Sequence, residues 1–288
     1  MKLVVVTLFL TLMNALSQVN VIDVKLELNK KIYMSTEHIH ATVTLMNRGA
    51  EDIRLHNQNG NWLDFMIRRN GVKDILMAKN FLFADCVVPA GKQVSRKITL
   101  THLYELVQPG NYVIRARVKP PGENVQPSPS SPAFFDVFNG VDIYRQQYGV
   151  PERAGQVVEY RIKQLNTRLG TELYFQAYDP KRKRLKVTYS IGKFTGIHKV
   201  QAMADSKGYL HTLYPIDAKL FRYINFADDG SILNQQIVKQ AVRGIPVLTK
   251  VGDGKVGVRN GVGYDPVAER KKKLSIHNIS QRPPFSYR

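Results

Sequence analysis

The sequence predicts a mostly β protein: an immunoglobulin-like β-sandwich followed by a second β domain, either a propeller-blade-like meander or a small sandwich. Three observations lead there. Apolar residues recur with period two along most of the chain, the alternation of half-buried strands. The breaks between runs are Gly, Asn, Asp and Pro, which supply positive φ, local side-chain bonds or a fixed φ for turns. The 288 residues exceed the roughly 100–150 that one core takes, so two cores are expected.

Met1–Ser17 runs from Lys2 through the apolar stretch 3–13 to Ala15, Leu16 and Ser17, the basic, apolar and small-residue order of a secretory signal peptide. The stretch falls short of the about 20 apolar residues that span a bilayer, so cleavage before Gln18 is expected, giving an exported chain, periplasmic or extracellular. No later run is apolar enough for a membrane helix, and the single cysteine, Cys86, has no internal partner.

Residues 18–139 then read as the sandwich. Val21–Leu28 places Ile22, Val24, Leu26 and Leu28 on one side, and His38–Met46 does the same with Ile39, Ala41, Val43 and Leu45. Trp62–Arg69 and Val72–Met77 flank Asn70-Gly71, a strong hairpin signal. Val94–Leu100, Asn111–Val118 and Ala133–Phe138 bring the set to about seven strands. Leu28, Val43, Trp62, Ile98, Val113 and Phe135 are the expected inner residues. The prolines of Lys119–Pro132 mark a long loop before the closing strand.

The stretch from Pro89-Ala90-Gly91 through Ile98-Thr99-Leu100 and Leu103-Tyr104-Glu105-Leu106 to Pro109-Gly110-Asn111-Tyr112-Val113 resembles the Ig-like domains of bacterial exported proteins. Those include the accessory domain beside some deuterolysin-type metalloproteases and the fold of the bacillary intracellular proteinase inhibitor. The resemblance covers residues 20–138 at most and implies a fold, not an activity. Tyr112, after a Pro-Gly turn, is placed to act as a tyrosine corner, its hydroxyl bonding back to the preceding loop.

Residues 140–156 read as a linker with a short helix over Asp142–Tyr148, capped by Asp142 and ended by Gly149-Val150-Pro151. The second β domain spans 157–265. Its strands are expected from Val157 onward, over Glu172–Tyr178, Arg184–Ile191, His198–Ala204, Tyr209–Tyr214, Lys219–Phe226 and Pro246–Val251. The run Ala204–Tyr214 with Lys219–Tyr223 and Asp229-Gly230 is similar to one propeller blade, but the domain is too short to close a ring. Residues 266–288 read as a basic, disordered tail.

Motifs for chemistry are few. Gly252–Gly257 matches Gly-x-Gly-x-x-Gly, but Val258–Gly263 is too glycine-rich to be the helix whose amino end binds a pyrophosphate, so a glycine-rich hairpin and no cofactor are expected. Glu37, His38 and His40 lie close, yet no third ligand is evident and no metal site is predicted. Cys86, between Phe83 and Val87-Val88, reads as a buried structural thiol, and His211, among Leu210, Leu213 and Tyr214, as a satisfied structural histidine. His-Glu-x-x-His and Gly-x-Ser-x-Gly are absent.

What remains is charge. Residues 18–137 hold 15 Lys/Arg against 11 Asp/Glu, and residues 138–288 hold 26 against 12, so most of the net +19 sits in the second half. Lys181, Arg182, Lys183, Arg184 and Lys186 open an acid-free stretch that runs past Lys193 to Lys199, and Arg270, Lys271, Lys272 and Lys273 form a second cluster. Both are candidate polyanion-binding sites. The composition points first to a non-catalytic binding protein of the cell envelope whose partner is a protein or an anionic polymer, export arguing against nucleic acid. A structural or assembly-accessory role is the second reading, and an enzyme acting on an anionic polysaccharide the third.

Overall fold

A computed structural model describes residues 22–275 apart from 58, 59, 72, 79, 80, 123, 124, 152 and 154. Residues 1–17, expected from the sequence to be a signal peptide, lie outside the described residues. The chain divides into two compact units, residues 1–139 and 140–288, and both are built almost wholly of strands.

In the first unit β1 (Ile22–Leu28), β3 (His40–Asn47) and β8 (Gln93–Thr99) form a three-stranded antiparallel sheet with β3 in the middle. A second sheet orders β2 (Ile32–Met34), β11 (Ala133–Phe138), β9 (Gly110–Val118), β5 (Leu63–Arg69) and β6 (Lys73–Ile75), with β10 (Ser128–Pro129) paired to β9. β4 (Ile53–Leu55) pairs separately with β7 (Cys86–Val88). One core joins the sheets: Ile22, Ala41, Val43 and Leu45 from the first, and Leu63, Phe65, Ile67, Tyr112, Ile114 and Phe135 from the second.

Local chemistry explains the joints. Asn70 and Gly71 adopt φ of 53° and 73°, the left-handed pair a tight hairpin demands, and β5 and β6 pair across them. The Tyr112 hydroxyl donates to the carbonyl of Gln108 at 2.6 Å, the bond expected of a tyrosine corner. Cys86 is buried. The expected inner position of Val113 is corrected: Tyr112, Ile114, Ala116 and Val118 point inward, so Val113 shares the outer face with Arg115 and Arg117. The alternation of β9 allows only one apolar face, and the arginines decide which.

The described residues of the second unit form two larger antiparallel sheets and a separate two-stranded hairpin. β12 (Val141–Gly149), β13 (Val157–Thr167), β14 (Gly170–Asp179) and β15 (Arg184–Phe194) pair in sequence order as a meander. β16 (Gln201–Ala204), β17 (Leu210–Pro215), β18 (Leu220–Phe226) and β19 (Ile232–Gln240) form another, extended by β22 (Gly261–Tyr264). Phe175 and Phe226 stack across the core between them, ring centroids 3.9 Å apart and 3° from parallel. The reverse face of the second sheet buries Leu213, Phe221 and Val238 against Leu248 and Val256 of the hairpin β20 (Val247–Lys250) and β21 (Val256–Arg259). β17 is therefore covered on both faces, and all six of its residues are buried.

Two expectations are corrected here. Residues 141–149 of the proposed linker are a strand and not a helix, because β12 pairs along β13 from Val141↔Gln164 to Gly149↔Val157. A bulge between Asp142 and Tyr144 breaks its period-two pattern and sets Tyr144 and Tyr148 on the core. The start of the tail is a helix, α1 (Pro266–Ser275). Asp265 caps it, accepting from the amides of Val267 at 2.8 Å and Ala268 at 3.3 Å, and Pro266 takes the first helical position. Residues 276–288 lie outside the described residues. No helix among the described residues is long and apolar enough to cross a membrane.

Candidate functional site

The cations of 181–184 sit at the tip of the β14–β15 hairpin. Asp179 ends β14, and its Oδ1 accepts from the amides of Lys181 at 3.1 Å and Arg182 at 3.0 Å, an Asx-type clamp that shapes the turn. The backbone amide of Arg182 is the main reason the Asp179 carboxyl is held below its ordinary value, outweighing desolvation. Lys183 takes a left-handed φ of 48° to close the turn.

All four side chains of 181–184 are exposed. Lys181 Nζ donates to the Gly155 carbonyl, and Arg182 Nε stands 4.0 Å from Asp179 Oδ2. Among the described residues no carboxylate lies within 4.0 Å of the Lys183 or Arg184 charge. Lys186 is half-buried and donates from Nζ to the Asp228 carbonyl at 3.0 Å, tying the hairpin to the Asp228–Ser231 turn. Arg153 Nη1 joins from the β12–β13 connection, 3.1 Å from Asp228 Oδ2 at ion-pair distance without hydrogen-bond alignment. The Ser231 amide chiefly holds the Asp229 carboxyl low, with Lys186 a lesser contributor.

Lys193 does not share this patch. β15 runs eleven residues from Arg184 to Phe194, which puts Lys193 about 30 Å along the strand, at the end that pairs with Glu172. The acid-free stretch of sequence is thus two surfaces. Arg270 and Lys271 are exposed on α1, and no hydrogen bond or ion pair among the described residues links them to the hairpin. Lys272 and Lys273 belong to the same helix, but their side chains lie outside the described residues. Arg153 is the cation that sequence spacing missed. It stands 28 residues before Lys181, and only the pairing of β13 with β14 brings it near.

The weaker chemical candidates resolve as follows. Glu37 is buried, ion-pairs with Lys30 at 2.5 Å and accepts from the Met34 amide at 3.1 Å, so it is committed to its turn. His38 and His40 bond through Nδ1 to Thr101 and Thr99, and the 3-10 turn Leu100–His102 brings His102 edge-on to His38 at 5.1 Å. Burial first, then the neighbouring His102 and His40, lowers the His38 pKa. Among the described residues no group of three or more His, Cys, Asp or Glu is disposed to hold a metal ion. His211 is buried with both ring nitrogens engaged, Nδ1 with the Tyr223 hydroxyl at 2.6 Å and Nε2 with Asp205 at 3.2 Å. In the glycine-rich segment a strand, β21, follows the Gly252–Gly254 turn where a nucleotide site would need a helix.

No family model matches this chain, and no curated protein matches it. Among solved structures it is similar to Spo0M, a sporulation control protein from Bacillus subtilis, at 9% identity and a TM-score of 0.28, over 90% of this chain and 96% of that one. A likeness of that size carries no argument about fold or function.

Proposed function

We propose that this chain is a non-catalytic, exported binding protein of the cell envelope that engages an anionic polymer, or a protein bearing one, through the β14–β15 hairpin tip. The observation that carries the reading is the clamped turn at Asp179, which presents Lys183 and Arg184 to solvent with no carboxylate among the described residues within ion-pairing distance, flanked by Lys181, Arg182 and Arg153. A turn pre-shaped by its own side chain loses little freedom on binding, and a tip of one charge sign attracts polyanions over a Debye length. Arg270 to Lys273 on α1 form a second, separate cationic contact in the same reading. We read the first unit as an Ig-like sandwich, supported by its two sheets over one core and by the Tyr112 corner bond.

The test is retention on heparin and on a phosphate-bearing envelope polymer as a function of salt. Each neutralised phosphate contributes about 0.7–0.9 to the slope of log affinity on log salt, so Lys183→Ser with Arg184→Ser should flatten the slope by up to about 2. These two positions leave the Lys181–Gly155 bond and the Asp179 clamp in place. Retention that ignores salt, or a double variant held as strongly as the parent, overturns the reading.

A further inference from the structure

The first unit carries a notch of about 260 Å³ where its two sheets part beside the edge strand β8. Its inner wall is aromatic. Trp62 enters from the start of β5, Phe83 meets it at 6.1 Å between ring centroids, and Phe81 meets Phe83 at 5.1 Å, a run of rings leading from the core to the surface. Trp62 and Phe83 are buried, whereas Phe81 is 44% exposed.

The outer wall is polar and basic. Arg96, Lys97 and His102 line it, and among the described residues no acidic side chain does; Lys97 borders it along the strand, its side chain on the face opposite Arg96. Arg96 faces Val43 across the β3–β8 ladder, and Val43 points into the core, so Arg96 lies on the inner face of an edge strand. An inward charge protects an edge from pairing with another chain, but here the guanidinium also stands at the mouth of an apolar recess. One of its nitrogens donates to the Asp85 carbonyl at 3.2 Å, which orients the group.

We infer that this notch binds a small aryl carboxylate, its ring against Trp62, Phe81 and Phe83 and its acid on Arg96, with His102 beside it. Charge complementarity selects an acid, since the recess offers the Arg96 guanidinium and, among the described residues, no carboxylate to answer it. Size selects a small one, because about 260 Å³ is at or below the lower end of ligand pockets and accommodates one ring with a short acid arm. The site lies in the first unit and is independent of the hairpin reading.

Trp62 is the only tryptophan of the chain, so its fluorescence reports on the notch directly. With 3-phenylpropanoate as probe, a saturable change in Trp62 emission is expected with a dissociation constant of about 10 μM to 1 mM. The uncharged 3-phenylpropanamide should bind at least about tenfold more weakly, and Arg96→Gln should weaken the acid by about tenfold or more while leaving the amide unchanged. Acid and amide binding alike, an Arg96→Gln protein that binds the acid as the parent does, or no saturable change up to about 10 mM, each overturns the inference. Should Arg96→Gln not fold, the acid–amide comparison on the parent decides it, and Lys97→Gln, on the opposite face of the strand, should bind the acid as the parent does.

Discussion

The hydroxyl of Tyr112 donates to the carbonyl of Gln108, four residues upstream and on the far side of a Pro-Gly turn. The same ring stacks on Phe135 at 4.9 Å and 9°, so one side chain fastens the entry of β9 to the core and to its preceding loop. Tyr112→Phe keeps the stack and removes the bond. The expected cost is about 0.5–1.5 kcal/mol of unfolding free energy, measured by urea denaturation with an unchanged m-value.

His211, on the same face of β17 as Leu213, is held by Tyr223 on one nitrogen and Asp205 on the other. Asp205 also accepts from the amides of Lys207 and Tyr209, both at 2.9 Å, so the ring is tied to a turn as well as to β18. Tyr223→Phe leaves Nδ1 buried without its partner, and we expect a loss of about 1–3 kcal/mol. Leu210→Ala on the same strand, a pure cavity, should cost about 2–5 kcal/mol, and thermal unfolding of both variants checks the order.

Burial pushes the Tyr33 hydroxyl up from its ordinary value of 10.0 to about 12, and burial likewise raises Tyr104, Tyr160, Tyr189 and Tyr214. A group whose pKa is higher folded than unfolded stabilises the fold fully below the unfolded value. That contribution is lost as pH climbs from about 10 through the folded value, because the unfolded chain then ionises first. Stability should therefore hold to about pH 10 and fall steeply above it. Tyrosinate absorbance should rise in two stages, exposed rings first and the buried set together with loss of the near-UV circular dichroism. Buried rings that ionise without unfolding would refute this.

Gly230 carries a φ of 91°, and a Cβ there would meet Val187 Cγ1 at 2.3 Å and Phe175 Cε1 at 3.3 Å. Its carbonyl also accepts from the Tyr189 hydroxyl at 2.7 Å. Gly230→Ala must move either the turn or the core behind β15, at an expected cost of about 1–3 kcal/mol. Gly170→Ala, also at positive φ but with open space around it, isolates the backbone part and should cost less in the same assay.

Much of the fold is legible in the order of the residues alone. Asn70-Gly71 announces its hairpin, and the Pro-Gly before Tyr112 announces the corner, because in both places the chemistry of two or three neighbours is sufficient. β12 is misread because Asp142 imitates a helix cap and Gly149-Val150-Pro151 a helix stop, and the bulge between Asp142 and Tyr144 hides the strand's period. β19 passes unnoticed because Ile232–Gln240 is rich in Asn and Gln and buries little apolar surface, its pairing with β18 and β22 supplying what its side chains do not.

The sequence by itself determined the strand-rich class, the tight turns, the concentration of cations in the second half and the isolation of Cys86, all properties of composition or of near neighbours. Tertiary structure decided which cations stand together. It carried Arg153 to the hairpin and sent Lys193 to the far end of β15, although Lys193 is nearer in sequence to Lys186 than Arg153 is. It also set His102 beside His38, and brought Arg96 to the same notch as Trp62 and Phe83. Strand pairing joins residues by register and not by separation, so a run of charge or a triplet of rings becomes a surface only once the ladders are in place.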